Sequence, residues 1–229
     1  MTTPDTTEDA RRVSRNLDAV VVRLGSGVTL LCGDCADLLP IAAPVCITDP
    51  PYGVEFRGEH WDKDIPEVAT RLPGMFDRTA IIMGTTAAWE FPPPKWVACW
   101  ARPASSSRSK VGGFSHWSPV LLYGNCKMSV DFRSWHAIAN AYPPGFPHPS
   151  PKPECLMVWL VNELTEEGET VCDPFMGSGT TGIACIRTGR KFIGIEKDAR
   201  YFEVARARLE NELRQGLLPL THNKVISIS

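Results

Sequence analysis

The sequence predicts one doubly wound α/β domain built on a mostly parallel sheet. Short apolar runs, bounded by turn residues, alternate along the chain with helical or irregular segments. Most of these runs are continuously apolar rather than alternating, which is typical of strands covered on both faces. A chain of 229 residues, 43% of them hydrophobic, fits a single domain with a sizeable core.

The individual elements follow from these runs. The candidate strands are Val28 to Cys32, Val45 to Thr48, Thr79 to Met83, Trp96 to Ala101, Pro119 to Tyr123, Glu169 to Cys172 and Lys191 to Ile195. The two clearest helices are Thr180 to Arg187 and Ala199 to Leu213. In the second helix, Phe202, Ala205 and Leu209 form an apolar stripe at helical spacing.

The remaining segments set the domain boundaries. Residues 1–16 are polar and charged and are expected to form a disordered lead, residues 17–215 the folded domain, and residues 216–229 a frayed tail. Segments with little regular signal are expected to be functional loops, and they are residues 53–77, 102–115 and 125–150.

Composition limits the partners, locations and metal sites that are expected. With 24 Lys and Arg against 26 Asp and Glu, the chain has no global basic field, so any nucleic-acid site must be a local patch. The sequence has neither a secretory signal nor the roughly 20 consecutive apolar residues of a membrane span, and a cytoplasmic protein is expected. Cys32 and Cys35 form a lone CxxC without a second pair, so no metal site is expected.

A glycine-rich loop follows the sixth candidate strand. The segment Asp173-Pro174-Phe175-Met176-Gly177-Ser178-Gly179-Thr180-Thr181 leads from this strand into a helix. Such a turn lets the backbone approach a ligand, and the helix N-terminus offers unpaired N–H groups. Glu196 closes the next strand about 20 residues on, where it could bind ribose hydroxyls.

The glycine pattern alone is equally compatible with a dinucleotide enzyme. Asp173 at the strand end favours a different cofactor, because its carboxylate would repel a pyrophosphate but pair with the ammonium group of a methionine-bearing cofactor. The loop also lacks the Lys of a phosphate-binding P-loop.

Another apolar strand ends in Asp49-Pro50-Pro51-Tyr52. An exocyclic amino group on a base is a poor nucleophile, and two acceptors bonded to its hydrogens would free its lone pair for attack on a sulfonium methyl. The Asp49 side chain and the Pro50 carbonyl supply that pair, and the prolines hold it rigidly. Tyr52 offers a ring on which a flipped base can stack. The alternative is a turn that merely ends the strand.

Together these motifs resemble the DNA amino methyltransferases of the β-type, in which the catalytic motif precedes the cofactor motif. Asp49 to Tyr52 is similar to the catalytic motif, Asp173 to Thr181 to the cofactor loop, and Gly194-Ile195-Glu196 to the ribose-binding strand. The segment His148-Pro149-Ser150-Pro151-Lys152-Pro153 resembles HPTQKP, with Ser-Pro in place of Thr-Gln. Asp34 resembles the acidic turn at the cofactor's adenine, and Trp61-Asp62-Lys63 is a weaker match.

The resemblance implies a class I methyltransferase fold with seven strands, the last hairpin strand antiparallel, and S-adenosyl-L-methionine as cofactor. The implied reaction is methylation of N6 of adenine in DNA, since Asp at position 49 favours adenine over cytosine N4. The implied catalytic residues are Asp49, Pro50, Pro51 and Tyr52. The implied cofactor-binding residues are Asp34, Thr48, His148, Ser150, Lys152, Asp173, Pro174, Phe175, Gly177, Ser178, Gly179, Thr180, Thr181, Glu196 and Lys197.

The short middle of the chain leaves no room for a large target-recognition domain, so the irregular loops are expected to read the DNA sequence. Basic residues expected against phosphates are Arg57, Lys63, Arg102, Arg108, Lys110, Lys127 and Arg133. DNA is the expected partner, with a homodimer and a cognate restriction endonuclease left open. The alternatives are cytosine-N4 methylation, methylation of RNA or protein glutamine, a dinucleotide-dependent oxidoreductase and a catalytically silent DNA-binding remnant.

Overall fold

A computed structural model describes residues 19–25, 27–53, 62–102, 107–108, 114–134 and 146–217. The strands are β1 (Val20–Leu24), β2 (Val28–Cys32), β3 (Val45–Thr48), β4 (Arg78–Ile82), β5 (Trp96–Ala101), β6 (Ser107–Arg108), β7 (Phe114–Ser115), β8 (Trp117–Gly124), β9 (Phe132–Ser134), β10 (Thr170–Asp173) and β11 (Lys191–Glu196). The α-helices are α1 (Cys35–Leu38), α2 (Glu67–Arg71), α3 (Glu154–Leu164), α4 (Thr180–Arg187) and α5 (Ala199–Leu217). Two short 3-10 helices cover Leu72–Gly74 and Ala87–Glu90.

Within the described residues, one 9-stranded sheet has the order β1-β2-β11-β10-β3-β4-β8-β5-β9. The run from β2 through β11, β10 and β3 to β4 is parallel. Strand β8 is antiparallel to both of its neighbours, β4 and β5, and β1 is antiparallel to β2. The predicted mostly parallel sheet with an antiparallel hairpin strand is therefore confirmed.

The predicted strand number was wrong. All seven predicted strands are present within one or two residues of their predicted ends, but β1 and β9 extend the sheet at its two edges. The segments expected to be irregular also contain short elements, namely α2, the β6–β7 hairpin and β9. Helix α5 ends at Leu217 rather than Leu213, and α3 was not anticipated.

Both faces of the sheet are covered. Val45 and Ile47 of β3 join one buried cluster with α3, α4 and α5, while Cys46 between them joins another that contains Ala69 of α2. Because successive side chains of a strand point to opposite faces, this division explains why β3 is apolar throughout. Among the described residues, no helix combines the length and apolarity that a membrane crossing requires.

The crevice of the fold is set by the order of the central strands. Strands β10 and β3 are direct neighbours, with Cys172 opposite Cys46. From β10 the chain continues through α4 to β11 on one side, whereas β3 is followed along the chain by its other neighbour, β4. The crossovers therefore diverge between β10 and β3, and a cleft is expected at the carboxyl ends of these two strands.

Candidate active site

The catalytic turn, Asp49 to Tyr52, begins directly after β3. The Tyr52 hydroxyl donates a hydrogen bond to Asp49 Oδ1, and Lys152 Nζ donates one to Asp49 Oδ2. The backbone N–H groups of Tyr52 and Gly53 both donate to Asp62 Oδ1, at 2.6 and 3.1 Å. Asp49 thus binds side chains at this turn, and Asp62 binds its backbone N–H groups.

The charges of the turn are set by burial and by one ion pair. Burial raises the pKa of the Asp49 carboxyl, and the neighbouring Lys152 ammonium group opposes that rise. Burial, together with the nearby Asp49 charge, raises the pKa of the Tyr52 hydroxyl well above its usual value. Tyr52 therefore keeps its proton at neutral pH and acts as a donor to Asp49.

The glycine loop, Asp173 to Thr181, lies between β10 and α4. Gly177 and Gly179 have φ values of +50° and +80°, in the left-handed region that glycine adopts at little cost. The N-cap of α4 is Gly179, which has no side chain to cap the helix. A Cβ on Gly177 would lie 2.9 Å from His148 Nε2, so this imidazole rests against the loop backbone. Burial lowers the pKa of His148 to about 4, so the ring is neutral at pH 7.

Asp173 supports the loop from inside. Its carboxylate accepts hydrogen bonds from the Thr48 hydroxyl at 2.6 Å, the Thr181 hydroxyl at 2.5 Å and the Phe175 backbone N–H at 3.1 Å. Burial raises the pKa of Asp173 to about 6, although these hydrogen bonds oppose the rise. The bond from Thr48 joins the end of β3 to the end of β10, so the two predicted motifs meet in one site.

A third group lies at the carboxyl ends of β11 and β2. Glu196 Oε2 accepts from the Gly177 N–H at 3.0 Å, and Oε1 accepts from the Asp198 N–H at 2.8 Å. Burial raises the pKa of the Glu196 carboxyl. Asp34 caps α1 through the Ala36 N–H and lies 3.5 Å from Lys197 Nζ. These acids provide acceptors beside the glycine loop.

The structure brings most predicted cofactor residues to one edge of the sheet, although their binding roles stay predictions. Thr48 is fully buried and contacts Asp173, whereas Lys152 contacts Asp49. The Ser150 N–H donates to His148 Nδ1 at 3.3 Å, which holds the imidazole. The other predicted members lie in the glycine loop or beside it, and they are Pro174, Phe175, Ser178, Gly179, Thr180, Thr181, Glu196 and Lys197.

Sequence reasoning missed three supporting residues. Asp62, 2% exposed, was noted only as part of a weak motif match after the catalytic turn. Arg208 donates to the Ser178 carbonyl at 2.5 Å, and Tyr201 packs edge-on against His148 with ring centroids 4.7 Å apart. Both lie on α5, where helical periodicity marks them only as residues of an amphipathic helix.

The predicted DNA-contacting residues lie in different places, and some of them fall outside the described residues. Lys63 is exposed, and its carbonyl lies 3.5 Å from the position of a Cβ on Gly53, so it adjoins the catalytic turn. Arg102 donates to the Trp117 carbonyl, and Arg133 lies 4.0 Å from Glu163 of α3. The side chain of Arg108 and the whole of Arg57 and Lys110 lie outside the described residues.

The structure does not bring Lys127 to the edge of the sheet that carries the two motifs, and its contact with DNA stays a prediction. Strand β8 runs antiparallel to β4, so its last residue, Gly124, pairs with the first residue of β4, Arg78. The thiol of Cys126 accordingly lies near the Thr79 carbonyl at the amino edge of β4. Lys127 follows at this edge, opposite the crevice. In the described part of the chain, no group of three or more His, Cys, Asp or Glu residues could hold a metal ion.

Solved structures share this fold. The M1.HpyAVI-SAM complex matches with a TM-score of 0.61 and 22% identity, over 80% of this chain and 100% of that one. The PvuII DNA methyltransferase, described as cytosine-N4-specific, matches with a TM-score of 0.60 and 16% identity, over 83% of this chain and 91% of that one. The fold is that of the class I S-adenosylmethionine-dependent methyltransferases.

Parts of the sequence are similar to DNA methylases. Residues 98–207 match the model of the DNA methylase family. The type II methyltransferase M2.DpnII of Streptococcus pneumoniae is 49% identical over 65 residues, which are 28% of this chain and 24% of the relative. M2.LlaDCHI of Lactococcus lactis subsp. cremoris is 43% identical over 70 residues, 31% of this chain and 26% of the relative. The chain is therefore similar to DNA methylases over residues 98–207, and it spans about a quarter of the length of these curated relatives.

Proposed function

We propose that the protein transfers a methyl group from S-adenosyl-L-methionine to the N6 amino group of adenine in DNA. The observation that carries this proposal is the junction of two motifs at the carboxyl ends of neighbouring strands. The hydrogen bond from Thr48 to Asp173 ties the catalytic turn to the glycine loop. A methyl acceptor held at the turn and a donor held at the loop would then share one crevice.

The residues of the glycine loop suit this cofactor. The N-terminus of α4 offers backbone N–H groups to a carboxylate, and the positive φ values of Gly177 and Gly179 bring that backbone close to a ligand. Glu196 and Asp34 offer acceptors for the ribose hydroxyls and the adenine amino group. When bound, the cofactor supplies an electrophilic methyl group on a sulfonium.

The catalytic turn activates the nucleophile. The Asp49 carboxylate and the Pro50 carbonyl accept the two hydrogens of the target amino group, which releases the nitrogen lone pair for an in-line displacement. The nitrogen would gain the methyl group as the bond of that group to the sulfonium sulfur breaks and S-adenosylhomocysteine leaves. The nitrogen would also lose one proton, for which Asp49 is the ionisable acceptor in the turn. The Tyr52 ring gives the extruded base a stacking surface.

Adenine is chosen because the motif carries Asp at position 49, as in the adenine enzymes that it resembles. A cytoplasmic location is part of the same proposal. A homodimer and a cognate endonuclease stay predictions that follow from the family resemblance alone.

The test is transfer of labelled methyl groups to duplex DNA, followed by digestion and identification of the nucleoside. Labelled N6-methyladenine is expected, and Asp49→Ala should reduce the label by about 100-fold or more, the usual effect of removing one catalytic hydrogen-bonding group. Labelled 4-methylcytosine would overturn the choice of base. Label on RNA or protein but not on DNA, or transfer unaffected by Asp49→Ala, would overturn the substrate or the site.

A further inference from the structure

Lys152 lies at the catalytic turn although the sequence placed it among the cofactor-binding residues. Its ammonium group is paired with Asp49 Oδ2, and it lies 5.4 Å from the centroid of the Tyr52 ring. The side chains of Lys152 and Asp49 are only 13% and 22% exposed. An ion pair shielded to this degree is much less screened by solvent and salt than a surface pair.

The backbone fixes the direction of Lys152. Pro151 and Pro153 flank it, and proline restricts both its own φ and the conformation of the residue before it. Pro153 is also the N-cap of α3, whose side chains Leu156 and Leu160 are fully buried. Lys152 therefore reaches Asp49 from the segment directly before a helix that is anchored in the core.

Apart from Lys152 and Tyr52, the surroundings of Asp49 disfavour its charged form. Burial is the largest effect and raises the pKa of its carboxyl, and the charge of Asp62 acts in the same direction. The Tyr52 hydroxyl and the Lys152 ammonium group act in the opposite direction. Other ionisable groups that face this cluster are Asp173, whose ionisation is coupled to that of Asp49, and Arg102, which faces Tyr52.

The proposed reaction requires the charged form. An ionised carboxylate only accepts hydrogen bonds, whereas a protonated carboxyl group carries an O–H donor, has less acceptor capacity and cannot take up the proton that the amino group loses. We propose that Lys152 is a positioning residue for methyl transfer, whose ammonium group holds the Asp49 side chain charged and oriented toward the target amino group. This inference rests on the proposed function and assigns Lys152 to the acceptor half of the site.

The experiment compares Lys152→Gln and Lys152→Arg in the full chain. Transfer to DNA is measured against pH at saturating cofactor, and affinity for S-adenosylhomocysteine is measured by calorimetry. Removal of the cation should shift the acid limb of the Lys152→Gln profile upward by about one pH unit or more. On the acid side of the profile its transfer rate should fall about tenfold and recover as the pH rises, with affinity for S-adenosylhomocysteine changed less than about threefold. Lys152→Arg should keep the wild-type profile.

Two controls test whether the shift of the acid limb depends on Lys152 and on the charge of Asp49. Lys95→Gln removes an exposed lysine immediately before β5 and should leave the profile unchanged. In an Asp49→Asn background the residue at position 49 has no charge at any pH, so Lys152→Gln should no longer shift the acid limb. An equal loss of transfer at every pH would overturn the proposal in favour of a purely structural role. Weaker cofactor binding with an unshifted profile would overturn it in favour of a cofactor contact.

A readout without substrate separates this inference from the proposed function. Carboxyl ¹³C NMR of protein labelled at Asp, with Asp49→Asn to assign the signal, follows the titration of Asp49 directly. The pKa of Asp49 should be higher in Lys152→Gln than in the wild type, and an unchanged titration would overturn the role of Lys152. Wild-type protein that transfers no label to DNA would overturn the proposed function, while the NMR titration still decides what Lys152 does to Asp49.

Discussion

The two halves of the site hold their acids in different ways. Asp49 follows β3 and is paired with the ammonium group of Lys152. Asp173 ends β10, is 3% exposed, and within the described part of the chain its hydrogen-bond partners are two hydroxyls and one backbone amide. The half-buried Asp49 is therefore compensated by a charge, whereas the buried Asp173 is compensated by neutral donors.

This difference separates the proposed acceptor half, which is governed by charge, from the proposed cofactor half, which is governed by backbone conformation. In the acceptor half, Lys152 reaches Asp49 across 103 residues of sequence. In the cofactor half, Gly177 and Gly179 shape the loop, and Glu196 accepts a backbone N–H from it. Substitutions that alter charge should therefore act mainly on the first half, and substitutions that alter backbone geometry mainly on the second.

The largest expected effect concerns Asp173, whose described hydrogen-bond donors are all neutral. Because the pKa of Asp173 is raised to about 6 in the folded protein, its neutral form is favoured by folding. That contribution is complete below the unfolded pKa near 3.8 and is lost as the pH rises through about 6. Relative to the wild type, Asp173→Asn should gain about 2 kcal/mol of unfolding free energy between roughly pH 4 and pH 8, at about 1.4 kcal/mol per pKa unit.

Urea unfolding of both proteins across this pH range provides the measurement. The exposed Asp77→Asn is the matched control, and its difference from the wild type should vary little with pH. A flat difference for Asp173→Asn as well would mean that the hydrogen bonds from Thr48 and Thr181 compensate the buried charge fully. The contrast between the two acids would then disappear.

A smaller effect tests the backbone of the cofactor half. Gly177→Ala places a Cβ at a φ of +50° and 2.9 Å from His148 Nε2. The strained backbone should cost about 1 to 2 kcal/mol of unfolding free energy, and displacement of the loop should weaken S-adenosylhomocysteine binding about tenfold. Gly216→Ala in α5, where nothing lies within 4 Å, should bind normally and be no less stable. Equal affinities for the two variants would show that the loop conformation does not govern binding.

Much of the fold could be predicted because its central strands are apolar on both faces. Strands β2, β3 and β5 have the predicted bounds, and both motifs lie at the strand ends where they were expected. Helix α3 could not be found by periodicity, since buried residues occupy most of its circumference and only Glu154, Asn162 and Glu163 interrupt it with polar side chains. Edge strand β9 is three residues long and has no continuous apolar run, whereas β1 is apolar except for Arg23 and could have been predicted from its sequence.

Contacts between distant segments were the part of the site that sequence could not supply. The motif containing Lys152 was identified, but its contact with Asp49 depends on how the turn before α3 approaches β3. The position of Arg208 behind the glycine loop likewise depends on the packing of α5, since residue spacing along a helix indicates a face but not what that face meets. Local chemistry was predictable here, whereas the pairing of segments was not.

The smallest expected effect concerns the side of the acceptor half that would face DNA. Lys63 is exposed beside the catalytic turn, whereas Lys127 is exposed at the opposite edge of the sheet. Lys63→Gln should weaken duplex binding several-fold, by a similar factor for all sequences, and lower the slope of log affinity against log salt by about 0.9. Lys127→Gln should alter neither quantity. Fluorescence anisotropy with a labelled duplex at several salt concentrations gives both values. If Lys127→Gln reduced the slope as much as Lys63→Gln, the duplex would have to reach the amino edge as well, and the crevice alone could not be the DNA-binding face.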